Sequence, residues 1–512
     1  MRPYRVNHSG ARSKGHTEAG AAGRLSLSSK ARQSSEQGWG RRTFESAGRA
    51  MPSTVSSLFR PLALAAFAAA LTLVACGGGG SGGGTTPIQR PSATPTPGAS
   101  PSPQPTNTPS GMIKHVVVII QENRSFDNIF HGFPNARTAN SGYWHSQLVT
   151  LQPFDLASPY NVEHTHGAFK TGYDGGLMDG FGDVPGGKFG SETHQPAGVA
   201  AYVYAPQAQV QPYWDMASTY ALSDETFESY QGPSFVSHLF MVAGQADQMA
   251  ENPTGTPWGC DAPAGTTVTT IDAKGEHETG LFPCVTMPTI ADELDAAGFG
   301  WRYYAPRIAP AGKGDFGQNW SAFDAVRNVR YSADWVNVVS PETRVLSDID
   351  AGLLAPVTWV VPSLNNSDHP GEGIDNGPQW VSSIVDEIEA SPYWSSTAVL
   401  VVWDDWGGWY DSATPHIYDY QSLGFRVPLI AISPYAKKNY VSHVQYETAS
   451  ILRFIETQLG LPTLGGADAR AGGLEDLFDF SQSPRKPQPV RLPRGAKQRV
   501  IQAARPGPPD ED

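Results

Sequence analysis

Cysteine is scarce in this chain, with three in 512 residues. Structural zinc wants four ligands, so a zinc site held by cysteine is disfavoured. Positive charge is also short. Lys and Arg total 36 against 49 Asp and Glu, for a formal net charge of -13 and a sequence pI of about 5.5. No long basic stripe neutralises phosphates, which excludes nucleic acid as the main partner. There is no internal repeat between 111 and 481, and the length suits one large domain or two ordinary ones. The longest early apolar run, residues 61–75, is too short for an ordinary membrane span.

That run carries information of another kind. It follows Met51 and Arg60 and stops at Leu73-Val74-Ala75-Cys76. The pattern has the thin positive region and apolar stretch of a signal peptide, over residues 51–75. Its end resembles the bacterial lipobox, in which the cysteine is acylated and becomes the mature N-terminus. A plain signal peptide cut near an alanine is the other reading. Residues 1–50 are polar, basic and rich in Gly and Ser, and read as a start codon placed too early or as a disordered extension. Residues 76–110 then give a lipidated Cys76 and a Gly/Pro/Ser/Thr-rich tether that cannot bury apolar surface. The expectation is an exported envelope protein, anchored by lipid to a bacterial membrane with its globular part held off the surface. Residues 482–512 are Pro-rich and basic, and are expected to be disordered. Cys260 and Cys284 remain, and two cysteines in an exported domain usually pair. They would close a loop of about 25 residues, worth roughly 3 kcal/mol in the chain-entropy model.

Residues 111–481 read as the globular domain. Continuous apolar runs recur at "KHVVVII" (114–120), "VTWVVPS" (357–363), "TAVLVVW" (397–403) and "VPLIAIS" (427–433). Such runs suit strands covered on both faces, as in parallel sheets. Trp380, Ile384, Val385 and Ile388 share one helical face, and so do Ile451, Leu452, Ile455 and Leu459. The pattern is α/β with a largely parallel sheet and helices on both faces. The middle, roughly 135–355, is rich in Gly, Pro, Asp and aromatics, and is expected to form long loops and a cap.

Ligands in open α/β sheets gather beyond the carboxyl ends of strands. Glu122 and Asn123 follow the first run, Asp368 and His369 the second, and Asp404 and Asp405 the third. Acids converging there would repel one another unless a cation held them, and oxygen-rich sites suit divalent metals of unstated identity. A nucleophile is supplied by "GPSFVSHLFMVAGQ", where Gly232-Pro233 turns the chain and Ser234 opens a helix. The free N–H groups of a helix N-terminus favour an anion such as phosphate. A serine that merely caps its helix is the plainer alternative.

Taken together, "IKHVVVIIQENRSFDNIFHGFP", "EHTHGAFKTGYDGGLMDGF", "GPSFVSHLFMVAGQ", "NNSDHP", "VVWDDWGGWYD" and "GFRVPLIAISPYAKKNYVSHVQYETASILRFIE" resemble the bacterial phosphoesterase family of acid phosphatases and phosphatidylcholine-type phospholipases C. The resemblance implies an alkaline-phosphatase-like core and a metal-assisted phosphoseryl mechanism. It assigns Glu122, Asn123, Asp404 and Asp405 to a metal, Ser234 to nucleophilic attack, and His164, His166 and His369 to phosphoryl binding or proton donation. Asp179 lies in a matching segment without an assigned role. Ser412 stands where the family has histidine, and His416 lies four residues on. The activity implied is hydrolysis of phosphate esters, of phospholipase C type. An acid-phosphatase-type monoesterase and a non-catalytic binding protein on the same scaffold are the alternatives. The implied substrate is a phospholipid or other phosphate ester, and a choline head group would want an aromatic cage, for which Trp406 and Trp409 are candidates.

Overall fold

A strand covered on both faces needs apolar side chains in both directions, and the two longest apolar runs form the middle of the sheet. His115–Gln121 and Thr397–Trp403 pair in parallel along their whole length, from His115 opposite Thr397 to Gln121 opposite Trp403. In the computed structural model, which describes residues 111–189, 195–275, 277–371, 376–490 and 492–504, they are central strands of an eight-stranded sheet. From one edge the order is Val338–Val339, Trp301–Tyr304, Val357–Val360, His115–Gln121, Thr397–Trp403, Leu429–Ile432, Ala221–Ser223 and Tyr440–Ser442. Leu429–Ile432 alone is reversed, antiparallel to both neighbours, and the other seven run the same way. The largely parallel α/β sheet is therefore as expected. The signal segment, Cys76 and the tether lie outside the described residues.

Val116 to Ile120 are all fully buried, so both faces of the central strand are sealed. Burying each such side chain stabilises by about 1.5–3 kcal/mol. One group of helices comprises Gln207–Thr219, Arg344–Asp350 and Gly377–Ala390, and another Ser234–Ala243, Ile290–Ala297 and Ser450–Leu459. Trp380, Ile384, Val385 and Ile388 are buried on their helix as the periodicity predicts. Ile451, Leu452 and Ile455 are buried on theirs, with Leu459 half-buried.

A second, smaller core lies in the cap. Val162, Phe169, Phe181 and Tyr202 pack there against Trp406, Trp409 and Phe425. Trp406 and Trp409 are fully buried in this core, so they fill the cap rather than line a head-group cage. The 135–355 stretch holds more than loops and cap, because it supplies three strands of the main sheet. "WRYY" and "ALS" are short, and the first carries an arginine, so neither reads as a continuous apolar run.

The C-terminal stretch also departs from expectation. Residues 482–490 run along the domain and Ala496–Ala503 is a helix. Val500 is fully buried, and Asn366 Nδ2 donates to its carbonyl at 3.0 Å. Arg485 donates to the carbonyls of Ala436 and Thr219, while its own carbonyl accepts from Trp394 Nε1 at 2.8 Å. Composition alone hides these carbonyl-to-side-chain bonds, which fix a proline-rich segment without a hydrophobic run. Cys260 and Cys284 are joined in a disulfide, with Cα atoms 4.5 Å apart.

Candidate active site

The two central strands end side by side, and each delivers a pair of polar residues at its carboxyl end. His115–Gln121 hands on to Glu122 and Asn123, and Thr397–Trp403 to Asp404 and Asp405. Asn123 has φ +56°, in the left-handed region that a non-glycine residue adopts at a strained, over-determined position. Its N–H donates to Asp404 Oδ1 at 3.1 Å, fixing the two strand ends together. Gly407 lies beneath them with φ +64°. A Cβ there would stand 2.1 Å from the Asn123 carbonyl oxygen, so only glycine fits. The Gly407 N–H in turn donates to Asp405 Oδ1 at 2.8 Å.

Ser234 is the first residue of the helix Ser234–Ala243, after the Gly232-Pro233 turn. Its hydroxyl does not cap the helix. Ser234 Oγ instead donates to Asp405 Oδ2 at 3.0 Å, while Asn252 Oδ1 accepts from the Phe235 N–H. Asn123 Nδ2 lies 3.0 Å from Ser234 Oγ, 3.1 Å from His164 Nε2 and 2.9 Å from each Asp405 oxygen. An amide nitrogen carries only two protons and cannot serve four such neighbours. Turning the amide over would bring Asn123 Oδ1, otherwise without a hydrogen-bond partner, into the same cluster. An oxygen there suits a cation.

One turn along the same helix, His238 Nε2 sits 2.8 Å from Glu122 Oε1 and 3.7 Å from Asp404 Oδ2. Ligand atoms of Glu122, His238 and Asp404 all lie within 4.8 Å of one another, and the three residues are buried. Glu122 Oε2 and Asp404 Oδ2 have no hydrogen-bond partner. Burial, then the charge of Asp404, pushes the Glu122 carboxyl well above the usual range. Burial and Asp405 push Asp404 up to about 6, and burial brings His238 down to about 4. A crowded, desolvated set of acids with unsatisfied oxygens and a neutral imidazole is the donor chemistry of a divalent cation site. The residues fit such an ion.

A model of the phosphoesterase family matches residues 113–462, most of the chain and every residue of this cluster. The chain belongs to the phosphoesterase family. Among curated proteins, this phosphoesterase is 25% identical over 445 residues to a non-hemolytic phospholipase C of Pseudomonas aeruginosa, covering 74% of this chain and 58% of that protein. It is 23% identical over 437 residues to phospholipase C B of Mycobacterium tuberculosis, covering 74% of this chain and 80% of that one. It is 24% identical over 430 residues to non-specific phospholipase C1 of Arabidopsis thaliana, with coverages of 75% and 74%. The chain thus spans little more than half the length of the Pseudomonas enzymes it matches, 58% and 56%. Among solved structures, a murine ectonucleotide pyrophosphatase/phosphodiesterase 5 overlaps with TM-score 0.36 and 8% identity, covering 71% of this chain and all of that one. A protein in the alkaline phosphatase superfamily from Vibrio parahaemolyticus gives TM-score 0.34 and 10% identity, with coverages of 78% and 88%. These overlaps are partial, and the fold rests on the sheet itself.

The remaining predicted residues of the phosphoesterase divide into near and far. His164 is at the cluster, with its other nitrogen, Nδ1, 2.9 Å from the Val162 carbonyl. His369 stands behind it, ring centroids 6.4 Å apart, with Nδ1 2.6 Å from the Pro370 carbonyl. Burial first, then His164, brings the His369 imidazole down to about 3. His166 faces elsewhere: its Nδ1 lies 2.6 Å from the carbonyl of Gln231, three residues before Ser234, and its ring stacks on Tyr230. It braces the turn that presents the serine. Asp368 braces too, its Oδ2 accepting from Tyr213 OH at 2.8 Å and Trp403 Nε1 at 3.0 Å. Asp179 is in the cap, its carbonyl accepting from the His145 N–H.

Ser412 does not line the cluster. Its N–H donates to Asp127 Oδ2 at 2.8 Å and its hydroxyl lies 3.4 Å from Arg426. His416 is exposed, its ring beside Tyr418. Arg124 and Asp127, three residues apart, do not pair with each other. Arg124 donates to the carbonyls of Asp368 and Leu156, whereas Asp127 and Asp411 share the buried Arg426. Two buried groups escaped the sequence reading. His238 was signalled by standing four residues after Ser234 on one helical face. Glu228, whose Oε1 accepts from the Trp406 N–H at 2.8 Å, had no such signal.

Proposed function

We propose that this phosphoesterase cleaves phosphodiesters of phospholipids, as a phospholipase C, through a phosphoseryl intermediate on Ser234. The observation that carries this is the meeting of Ser234 Oγ, Asn123, His164 and Asp405 at a helix N-terminus, beside buried acids. The names of the phospholipase C relatives support the substrate class.

Ser234 Oγ–H donates to Asp405 Oδ2, which orients the oxygen and favours its loss of a proton. A divalent cation bound by Glu122, Asn123, Asp404 and Asp405, with His238 beside them, would supply Lewis acidity to the phosphoryl oxygens and to the serine oxygen. The positive end of the helix dipole at the start of Ser234–Ala243 favours a phosphoryl oxygen beside Ser234. His164 Nε2, with the ring fixed through the Val162 carbonyl, faces the same group. Ser234 Oγ bonds to phosphorus as its proton passes to Asp405 Oδ2, the bond to the alcohol breaks in line, and the departing oxygen leaves on the side of His369 and takes its proton from water. Water then bonds to phosphorus, the serine oxygen leaves and regains its proton, and the phosphorylated head group is released.

The test is a hydrolysis panel of phosphatidylcholine, p-nitrophenylphosphorylcholine and p-nitrophenyl phosphate, with and without chelator. The expected result is chelator-sensitive cleavage of the two diesters, with Ser234→Ala reducing it by about a thousandfold or more while the fold persists. Turnover unchanged in Ser234→Ala would sink the mechanism, and cleavage of p-nitrophenyl phosphate alone would sink the substrate class.

A further inference from the structure

Asn319 is 3% exposed, and neither end of its amide has a hydrogen-bond partner. The indole N–H of the next residue, Trp320, is buried and also without one. Each such group left unpaired costs about 1–3 kcal/mol, so folds keep one where a ligand or other partner repays it. Both residues belong to the short turn Phe316–Trp320, which is rigidly held. Asp315 Oδ1 accepts from the Gly317 and Leu364 N–H groups, each at 2.8 Å, and Tyr303 OH donates to the Trp320 carbonyl at 3.1 Å.

The turn is a wall of the site. The rings of Phe316 and Trp320 each stand 5.8 Å from that of His369, and Phe189 stands 5.4 Å from it. The turn packs against the helix that begins at Ser234, and Tyr303 behind it is within electrostatic reach of Glu122. The Trp320 indole therefore stands on the His369 side of the centre, among aromatic rings, and Asn319 precedes it in the same turn.

We infer that Asn319, with the Trp320 indole, binds the leaving alcohol of the substrate, and that this alcohol is an acylglycerol. The inference rests on the phospholipase C reading above. Ester carbonyls only accept, and meet the amide and indole N–H donors. The rings of Phe189, Phe316 and Trp320 take the glyceryl and first acyl carbons. Asn319 is thus a specificity residue for the alcohol and contributes nothing to the head group.

Two substrates with one head group and different alcohols test this: a short-chain phosphatidylcholine and p-nitrophenylphosphorylcholine. In the full chain, Asn319→Ala is expected to lower kcat/KM on the lipid about tenfold or more, and to leave the nitrophenyl ester within about twofold. The unaltered protein should cleave the ether-linked analogue of the lipid, which lacks both carbonyls, about as slowly as the variant cleaves the ester. That arm needs no mutation and stands even where the variant folds poorly. Equal losses on both diesters, no loss on either, or full activity on the ether lipid would each overturn the role of Asn319. Failure of the unaltered protein to cleave either diester would instead overturn the phospholipase reading, and this inference with it.

Discussion

At the scale of single residues, the centre is a balance of buried charge. Asp404 has an ordinary value of 3.8 and is raised by burial and Asp405 to about 6. Below about 3.8 both folded and unfolded chains hold this proton. Between the two values only the folded chain does, so the metal-free protein loses stability as pH rises from about 4 to about 6. A cation that takes the proton's place gains over the same interval. The rise in Tm on adding a divalent cation to chelator-treated protein is therefore expected to be small at pH 5 and larger at pH 7, and an equal rise at both would show binding elsewhere. His238→Ala should weaken that metal about 10–100-fold in a competition titration, as loss of an orienting neighbour does. That Glu122, Asn123, Asp404 and Asp405 come together was legible in the sequence because strands end there. His166 was misread because a histidine near a nucleophile looks alike whether it faces the substrate or, as here, holds a backbone carbonyl. Glu228 was invisible because its contact with Trp406 joins positions far apart in the chain.

At the scale of elements, the loop after Thr397–Trp403 has more duties than its length suggests. Asp405 faces Ser234, Trp406 enters the cap core, and Gly407 passes under the Asn123 carbonyl. Gly407→Ala combines a left-handed φ with a contact of 2.1 Å to a backbone oxygen that cannot swing away. It should destabilise by more than about 1 kcal/mol and, by shifting Asn123, lower kcat more than it raises KM. A variant with unaltered Tm and kinetics would show that the strand ends adapt freely. Long apolar strands and amphipathic helices were readable, since burial on both faces or one leaves a period. The three-residue strand Ala221–Ser223 and the reversal of Leu429–Ile432 were not, because neither length nor direction changes which side chains a strand must bury.

At the scale of the whole molecule, the C-terminal segment packs against the loop that follows Val357–Val360. Asn366 Nδ2 donates to the Val500 carbonyl, while the Asn366 carbonyl accepts from Gln121 Nε2 at 3.2 Å. Gln121 Oε1 accepts from the Asp368 N–H at 3.0 Å, one residue from His369. Removing residues 482–512 should lower Tm by about 2–4 °C, the effect of losing the burial of a side chain such as Val500. The same deletion should reduce kcat by loosening His369, and unchanged melting would mean that the segment lies on the domain without supporting it.

The cap core is built on Trp406 and Trp409, and these sit directly after the paired acids. Inherited variation in the cap is therefore never local to the cap. A substitution that enlarges Phe181 or trims Phe425 tilts the indoles, and the tilt reaches Asp405 through a single peptide bond. A change of shape in the cap and a change in the position of Asp405 are therefore mechanically linked. New specificities have an easier route through the separate wall at Phe316–Trp320, which shares no residue with that core.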